Sequence, residues 1–317
     1  MKCSLAALLL APLLVCAQTF PSRPVQMLIP YPPGGTTDVM ARALQEPLQK
    51  ALGQPIVVEN KSGASGVLAA REVARGKPDG YSLLFINSGI VAVTPYVQKD
   101  AGFDGVKDFA PVALVTSAPL FVLVPGSVPV NDLKSWIEWA RKQPGPLPYA
   151  SAGVGSFGHL ASELFANSAG LKMTHVPYRG QAPTTTAIIT GEVALLITSM
   201  SGAMRENISA GKIKLLGVTS ATPSSQSPGL ATVASVLPGY AAETWFGLIT
   251  TAGTPPEVIN KLNTEINTIL GNKEIQDKMF GLGQQVRTMT PAQFGTLIAE
   301  DAARWSQVVR DNNIRNE

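Results

Sequence analysis

The sequence predicts an α/β protein of two domains, each a Rossmann-like sandwich, joined by crossing strands. Strand-period and helix-period segments alternate through one stretch of the chain and then again through a second. Glycine-rich turns sit at the strand-to-helix junctions, and two apolar strand-like runs bracket the second stretch. Such alternation builds parallel sheets with right-handed crossovers. At 317 residues, 45% hydrophobic and 15% charged, the chain is long and apolar enough to bury two cores.

The first unit reads as a strand over 25–29, a helix over 38–52, a strand over 56–59, a helix over 67–74 and a strand over 82–86. Val39, Met40, Ala43, Leu44, Leu48 and Leu52 fall at helical spacing, and Pro47 is expected to kink that helix. The second unit follows Pro125, with helices over 133–142, 156–169 and 183–190 and strands over 148–150, 174–176, 193–197 and 214–219. Trp136 and Trp139, three apart on a helix, read as packing residues. The apolar runs 120–124 and 244–250 read as strands crossing between domains. Residues 22–121 and 246–317 then form a discontinuous first domain, 125–240 the second, with a hinge near 120–124 and 241–247. The tail, helical over 255–270 and 291–311, is expected to pack back onto the first domain.

Residues 1–17 read as a cleavable secretory leader: Met1-Lys2, a Leu- and Ala-rich run, then small residues before Gln18. The run is too short to span a bilayer, which takes about 20 residues. Cys3 and Cys16 both lie inside it, so cleavage after Ala17 leaves a mature chain without cysteine. Lipid attachment at Cys16 is the alternative, for which Val15 is a poor preceding residue. With 25 Lys and Arg against 22 Asp and Glu, a net charge of +3 and no basic run, nucleic acid is not an expected partner.

Two glycine-rich turns, Pro32-Pro33-Gly34-Gly35-Thr36-Thr37-Asp38 and Asn60-Lys61-Ser62-Gly63-Ala64-Ser65-Gly66, aim backbone N–H groups and helix starts at one cleft. Asn87 and Ser88 join them from the first domain. From the second come Ser151, Gly153, Gly155 and Ser156, then Tyr178-Arg179-Gly180 and Thr198-Ser199. Ligands of open α/β sheets sit outside the carboxyl ends of the strands. The pattern is that of a site for a small anion.

Asp38 either contacts a ligand-bound water or caps the helix it begins, and Thr36 and Thr37 divide between the same two roles. Of Ser151 and Ser156, one is expected to cap and the other to donate to a carboxylate. Arg179 either pairs with a ligand carboxylate or braces its loop. His159 beside a serine invites a catalytic reading, but no Gly-x-Ser-x-Gly elbow is present, so helix packing or indirect support of the site is expected instead. With two histidines, His159 and His175, and no cysteine after the leader, no zinc cage can be built. The glycines follow neither P-loop nor dinucleotide spacing, and no cofactor is expected.

The ordered set Tyr31-Pro32-Pro33-Gly34-Gly35-x-x-Asp38, Val58-Glu59-Asn60, Gly63-Ala64-x-Gly66, Pro78-Asp79-Gly80-Tyr81, Tyr149-x-Ser151-x-Gly153-x-Gly155-Ser156-x-x-His159, Val176-Pro177-Tyr178-Arg179-Gly180 and Trp245-Phe246-Gly247 resembles the Bug family. These are periplasmic solute receptors of tripartite tricarboxylate transporters. The resemblance implies a two-domain periplasmic binding protein, Venus-flytrap-like, that closes on a small carboxylate and works with membrane transporter subunits. It implies ligand contacts at Tyr31, Pro33, Gly34, Gly35, Thr36, Asp38, Ala64, Ser65, Asn87 and Ser88 on one side. On the other it implies Ser151, Gly153, Gly155, Ser156, His159, Tyr178, Arg179, Thr198 and Ser199. A monomeric, non-enzymatic periplasmic protein is expected. A ligand-sensing subunit of a signalling system is the alternative, and a secreted hydrolase a more distant one. The chain departs from the family at Ala187, Ala194 and Thr198, where acidic residues are usual, and over 231–235.

Overall fold

A computed structural model describes residues 20–63, 66–98, 100–178, 180–224 and 227–314. The leader expected at 1–17, with Cys3 and Cys16, lies outside the described residues, as do Ala64, Ser65 and Arg179.

The first half runs β1 (Val25–Ile29), α1 (Thr36–Leu52), β2 (Ile56–Asn60), α2 (Val67–Ala74), β3 (Ser82–Asn87), α3 (Ser88–Ala92), α4 (Thr94–Val97) and β4 (Phe109–Pro119). Next come β5 (Phe121–Pro125), α5 (Leu133–Arg141), β6 (Leu147–Ser151), α6 (Phe157–Ala169), β7 (Met173–Pro177), α7 (Gln181–Thr190), β8 (Leu195–Thr198), α8 (Gly202–Ser209) and β9 (Ile213–Val218). The chain ends with β10 (Glu243–Thr251), α9 (Pro256–Leu270), α10 (Lys273–Gly281), β11 (Gln285–Val286) and α11 (Pro291–Asp311).

Two sheets result, in the strand orders β11-β4-β10-β3-β1-β2 and β7-β6-β8-β5-β9. As the alternation predicts, β1 is parallel to β2 and β3, and β6 to β7 and β8. The sheets are nonetheless mixed rather than wholly parallel. β10 is antiparallel to β3 and β4, and β5 to β8 and β9. Strand β4 runs with β1–β3, so the chain leaves the first sheet at their carboxyl ends. The returning β10 enters at that same end and must run against them. In the second sheet β5 enters and β9 leaves by the same logic.

β4 was not foreseen, because Pro111 and Pro119 break an otherwise strand-like run. Pro111 is accommodated beside a register shift of β10, where β11, paired only at Thr116 and Ser117, leaves the other edge of β4 open. The short α3, α4, α8 and α10 and the two-residue β11 also lacked a periodic signal. Helix α1 continues through Pro47 as a single element.

Each sheet is covered on both faces. α1 and α9 bury Met40, Leu44, Leu48, Leu262 and Ile266 against one face of the first, while Val67, Val73, Phe294 and Ile298 cover the other. Trp136, Leu160, Phe165 and Trp305 cover one face of the second sheet, and Ala187, Ile188 and Met204 the other. At about 25 cal/mol per Å² of apolar area, such cores dominate the folding energy. Trp136 is fully buried with its ring 5.7 Å from Phe165, a packing residue as its spacing suggests.

The passages between sheets are narrower than the runs 120–124 and 244–250. Residues 121–124 lie inside β5 and 244–250 inside β10, each within one sheet. The outgoing chain crosses at the single residue Leu120, and the return occupies residues 219–242. Both passages meet at Thr219, which is fully buried. Its Oγ1 accepts from Leu120 N–H at 2.7 Å and donates to the Ala242 carbonyl. Its main chain donates to Leu120 O at 3.0 Å and accepts from Ala242 N–H at 2.9 Å.

Helix α11, about 31 Å long at 1.5 Å per residue, does more than cover the first sheet. Phe294 and Ile298 pack there, whereas Trp305, Val308 and Val309 enter the core of the second. Midway, Asp301 accepts from Trp245 Nε1 of β10 at 2.6 Å and pairs with Arg304, which reaches Ala241 O at 3.3 Å.

Removing the Thr219 hydroxyl strands a buried N–H and a buried carbonyl, each worth about 1–3 kcal/mol. Thr219→Val is expected to lower unfolding stability by about 2 kcal/mol or more, and Thr219→Ser by under about 1 kcal/mol. Urea denaturation of the two variants checks this, and an unchanged midpoint for Thr219→Val would remove the crossing from the stabilising features.

Candidate functional site

A cleft of about 560 Å³ opens between the carboxyl ends of the parallel strands of the two sheets, within the range of small-molecule sites. The first sheet contributes Tyr31 after β1, Thr36 at the start of α1, and Asn87, Ser88 and Gly89 at the β3–α3 junction. Across from them stand Gly155 and Phe157 at the start of α6, Gln181 at the start of α7, and Ser199 and Met200 after β8. Val93, Thr94, Thr244, Phe246, Leu282 and Gln284 complete the lining.

Of the residues expected from the sequence, Tyr31, Thr36, Asn87, Ser88, Gly155 and Ser199 line this cleft. The other described candidates are not among its lining residues. Pro33, Gly34 and Gly35 form an exposed turn, with Gly34 at φ +85°, a conformation that favours glycine. Gly35 is the N-cap of α1 at an ordinary φ of −78°.

Asp38 is buried and its carboxylate neither caps α1 nor lines the cleft. One oxygen accepts from Gly34 N–H at 2.9 Å, and the other from Arg42 Nε at 2.9 Å and Asn60 Nδ2 at 2.8 Å. It ties the two glycine-rich turns together. Burial pushes its carboxyl upward, but the bonds from Arg42, Gly34 and Asn60 outweigh that and hold it below the usual carboxylate range.

Of Ser151 and Ser156, the capping role falls to Ser156. Ser156 caps α6, accepting from His159 N–H at 3.3 Å. Ser151 is buried, donates to Gly153 O at 2.9 Å and sits 2.6 Å from His175 Nε2. The Tyr178 hydroxyl is spent on Glu192 at 2.7 Å, and Thr198 meets Gln181 Nε2 at 3.3 Å.

His159 supports the site from behind. Its Nδ1 accepts from Gly155 N–H at 3.1 Å, so the ring holds a cleft-lining glycine and is neutral in that tautomer. The His159 and His175 rings stack at 3.8 Å between centroids, with Tyr149 stacked alongside and its hydroxyl bonded to Glu163. Burial, then the neighbouring His175, pushes His159 down to about 3, and burial pushes His175 down to about 4. Neither Ser151 nor His175 is among the residues that line the cleft.

The cleft divides chemically. Burial raises Tyr31 to about 12 while a hydrogen bond with the Asn87 side chain opposes it, so Tyr31 is a neutral phenol. Among the described residues, the hydroxyls of Thr36, Ser88 and Ser199 have no hydrogen-bond partner, and no Asp, Glu, Lys or Arg lines the cleft. No group of three or more potential metal ligands occurs among the described residues.

A sequence model of the family described as "Tripartite tricarboxylate transporter family receptor" matches residues 40–314. The chain belongs to this receptor family. It is 35% identical over 303 residues to Protein BugT of Bordetella pertussis, covering 95% of this chain and 93% of that protein. Among solved structures, a TctC solute-binding protein from Polaromonas without ligand superposes with a TM-score of 0.84 at 29% identity, covering 92% of this chain and all of that one. Rpa4515 of R. palustris with adipate superposes with a TM-score of 0.72 at 34% identity, covering 94% of this chain and all of that one. The two-lobe fold expected from the sequence is therefore shared with solute-binding relatives.

Ten cleft residues were not anticipated. Thr244 and Phe246 flank Trp245 on β10 and, two apart, share a strand face, a signal available in the sequence. Phe157 and Gln181 begin helices after glycine turns. Gly89, Val93, Thr94, Met200, Leu282 and Gln284 carry no local signal.

Both histidines bind fewer protons folded than unfolded, where about 6.5 is normal. Their stabilising effect is complete above about 6.5 and is lost as pH falls toward about 4 for His175 and about 3 for His159. The melting temperature is expected to fall more steeply between pH 7 and pH 4.5 in the natural protein than in His159→Gln/His175→Gln. Calorimetry across that range checks this, and parallel curves would show that the pair does not titrate on unfolding.

Proposed function

We propose that the protein captures a small organic carboxylate between its lobes, closes on it, and presents the closed form to the membrane subunits of a tripartite-type transporter. The observation that carries this reading is the set of cleft hydroxyls, Tyr31 beside Asn87 and the unpartnered Thr36, Ser88 and Ser199, gathered from both sheets beside the start of α1. Neutral donors at a helix start hold an anion without a fixed counter-charge. Adipate is the ligand of the R. palustris relative, a small carboxylate of the expected kind.

In this reading 22–121 with 246–317 form one lobe and 125–240 the other, hinged near 120–124 and 241–247. Closure follows because a ligand shifts an equilibrium only by differential affinity, and donors from both lobes reach it together only when closed. The chain superposes better on the unliganded relative than on the adipate-bound one, although its identity to the latter is higher, which supports an open arrangement here. Residues 1–17 direct the chain to the periplasm, where it acts as a monomer and not as an enzyme. No described helix is long and apolar enough to cross a membrane. Ala64, Ser65 and Arg179 remain candidate contacts, and Pro33, Gly34, Gly35, Asp38, Ser151, Gly153, Ser156, His159, Tyr178 and Thr198 act by shaping the loops. A signalling subunit would use the same cleft and differ only in its membrane partner.

A hydrogen bond to a charged group is worth about 1.5–3 kcal/mol, or roughly tenfold to a hundredfold in affinity. Tyr31→Phe and Ser88→Ala are each expected to weaken carboxylate binding at least about tenfold, read by calorimetric titration with adipate and hexanoate. Val57→Ala, on the exposed edge strand β2, serves as a control with unchanged affinity. Undiminished binding in both cleft variants would place the ligand elsewhere.

A further inference from the structure

We infer, resting on the carboxylate reading above, that the acid this cleft accepts carries at least one hydroxyl group besides its carboxylate, and that Gln181 and Gln284 select for it. A carboxylate only accepts hydrogen bonds, so an acceptor that the cleft presents must be met by some other group on the ligand. Gln181, at the start of α7, presents one. Its Nε2 donates to Ser199 O at 2.7 Å and to Thr198 Oγ1 at 3.3 Å. Because the Ser199 carbonyl can only accept, the amide is held in this orientation, and Oε1 is left without a partner among the described residues.

Asn87 adds a second unpaired acceptor. Its side chain meets the Tyr31 hydroxyl, while its Oδ1 is buried with no hydrogen-bond partner. An acceptor shut away from water unpaired is costly, and a ligand hydroxyl donating to it removes that cost. Gln284, between α10 and β11, supplies the complementary group. Its Oε1 accepts from Thr116 Oγ1 at 3.3 Å, so the Nε2 hydrogens have no partner among the described residues. A hydroxyl both donates and accepts, and so matches either amide. An ammonium also donates, but no described Asp or Glu lines the cleft to offset its charge, and an unpaired buried charge costs more than a neutral donor. The cleft volume of about 560 Å³ accommodates a hydroxylated chain of about six carbons.

The test is a calorimetric titration of the mature chain, residues 18–317, with two pairs of acids that differ in their hydroxyls, gluconate against hexanoate and malate against succinate, together with aspartate and the neutral sorbitol. In at least one pair the hydroxylated acid is expected to bind at least about tenfold more tightly than its partner, with aspartate weaker than malate and sorbitol not measurable. Hexanoate and succinate each binding as tightly as the hydroxylated partner overturns the hydroxyl inference while leaving the carboxylate reading intact. Aspartate binding more tightly than malate does the same, because the donor sought is then charged. Sorbitol binding as well as gluconate overturns the carboxylate reading itself, and absence of binding by every acid overturns both. Gln181→Leu, first shown to melt at the natural temperature, is expected to weaken the preferred hydroxy acid about tenfold and its unhydroxylated partner by less than about twofold. If that variant unfolds, Gln284→Leu replaces it with the same expectation. An unchanged ratio within the pair in the folded variant removes the amide as the source of selectivity and overturns the inference.

Discussion

The architecture depends on where the chain is allowed to pass between its two sheets. Both passages lie at the carboxyl ends of the parallel strands and are fastened together at Thr219, between Leu120 and Ala242. That placement dictates the direction of β5 and β10, makes both sheets mixed, and turns the strand ends of each sheet toward the other. The cleft is a consequence. Its walls are the loops that follow β1, β3, β6, β7 and β8, and its floor carries Thr244 and Phe246 as β10 returns.

Polar groups in the site fall into two layers with different duties. In the inner layer, Thr36, Ser88 and Ser199 keep their hydroxyls unspent, and Tyr31 meets only Asn87. The outer layer spends its capacity on backbone: Asp38 on Gly34, His159 on Gly155, Ser151 on Gly153, Ser156 on His159. Glycine loops are entropically expensive to order. Buried acceptors that grip their N–H groups offset this and set the direction in which the remaining donors point. Asp38 does so as an anion held by Arg42, and His159 as a neutral ring kept uncharged by burial.

α11 adds a second connection between the cores, independent of the main-chain crossings. Phe294 belongs to one core and Trp305 to the other, with Trp305 edge-on to Phe157 at 4.9 Å. Phe157 itself faces the cleft. Packing of the last helix is therefore contiguous with the ligand wall, and the Asp301–Trp245 bond anchors the helix to β10 beside the return passage.

Much of this was legible in the sequence, and the part that was not has a common cause. Helical and strand periods are local properties, so β1–β3, β6–β8 and the helices between them could be read from spacing, as could the family resemblance from motifs at those junctions. Six cleft residues, Tyr31, Thr36, Asn87, Ser88, Gly155 and Ser199, follow from the same rule that strand ends and helix starts bear ligands. Strand β4 was hidden by prolines whose tolerance depends on a bulge in a partner 138 residues away, at Pro111 and Ile249. Which of two equivalent polar residues faces the ligand was also undetermined. Asp38 and Ser151 satisfy local patterns but are drawn behind the cleft by Asn60 and His175, residues remote in sequence. The sequence by itself determined the elements, the turns and the family, because these depend on neighbours along the chain. Only the tertiary structure decided strand direction in the mixed sheets, the reach of α11 and which residues line the cleft, because these depend on which distant surfaces meet.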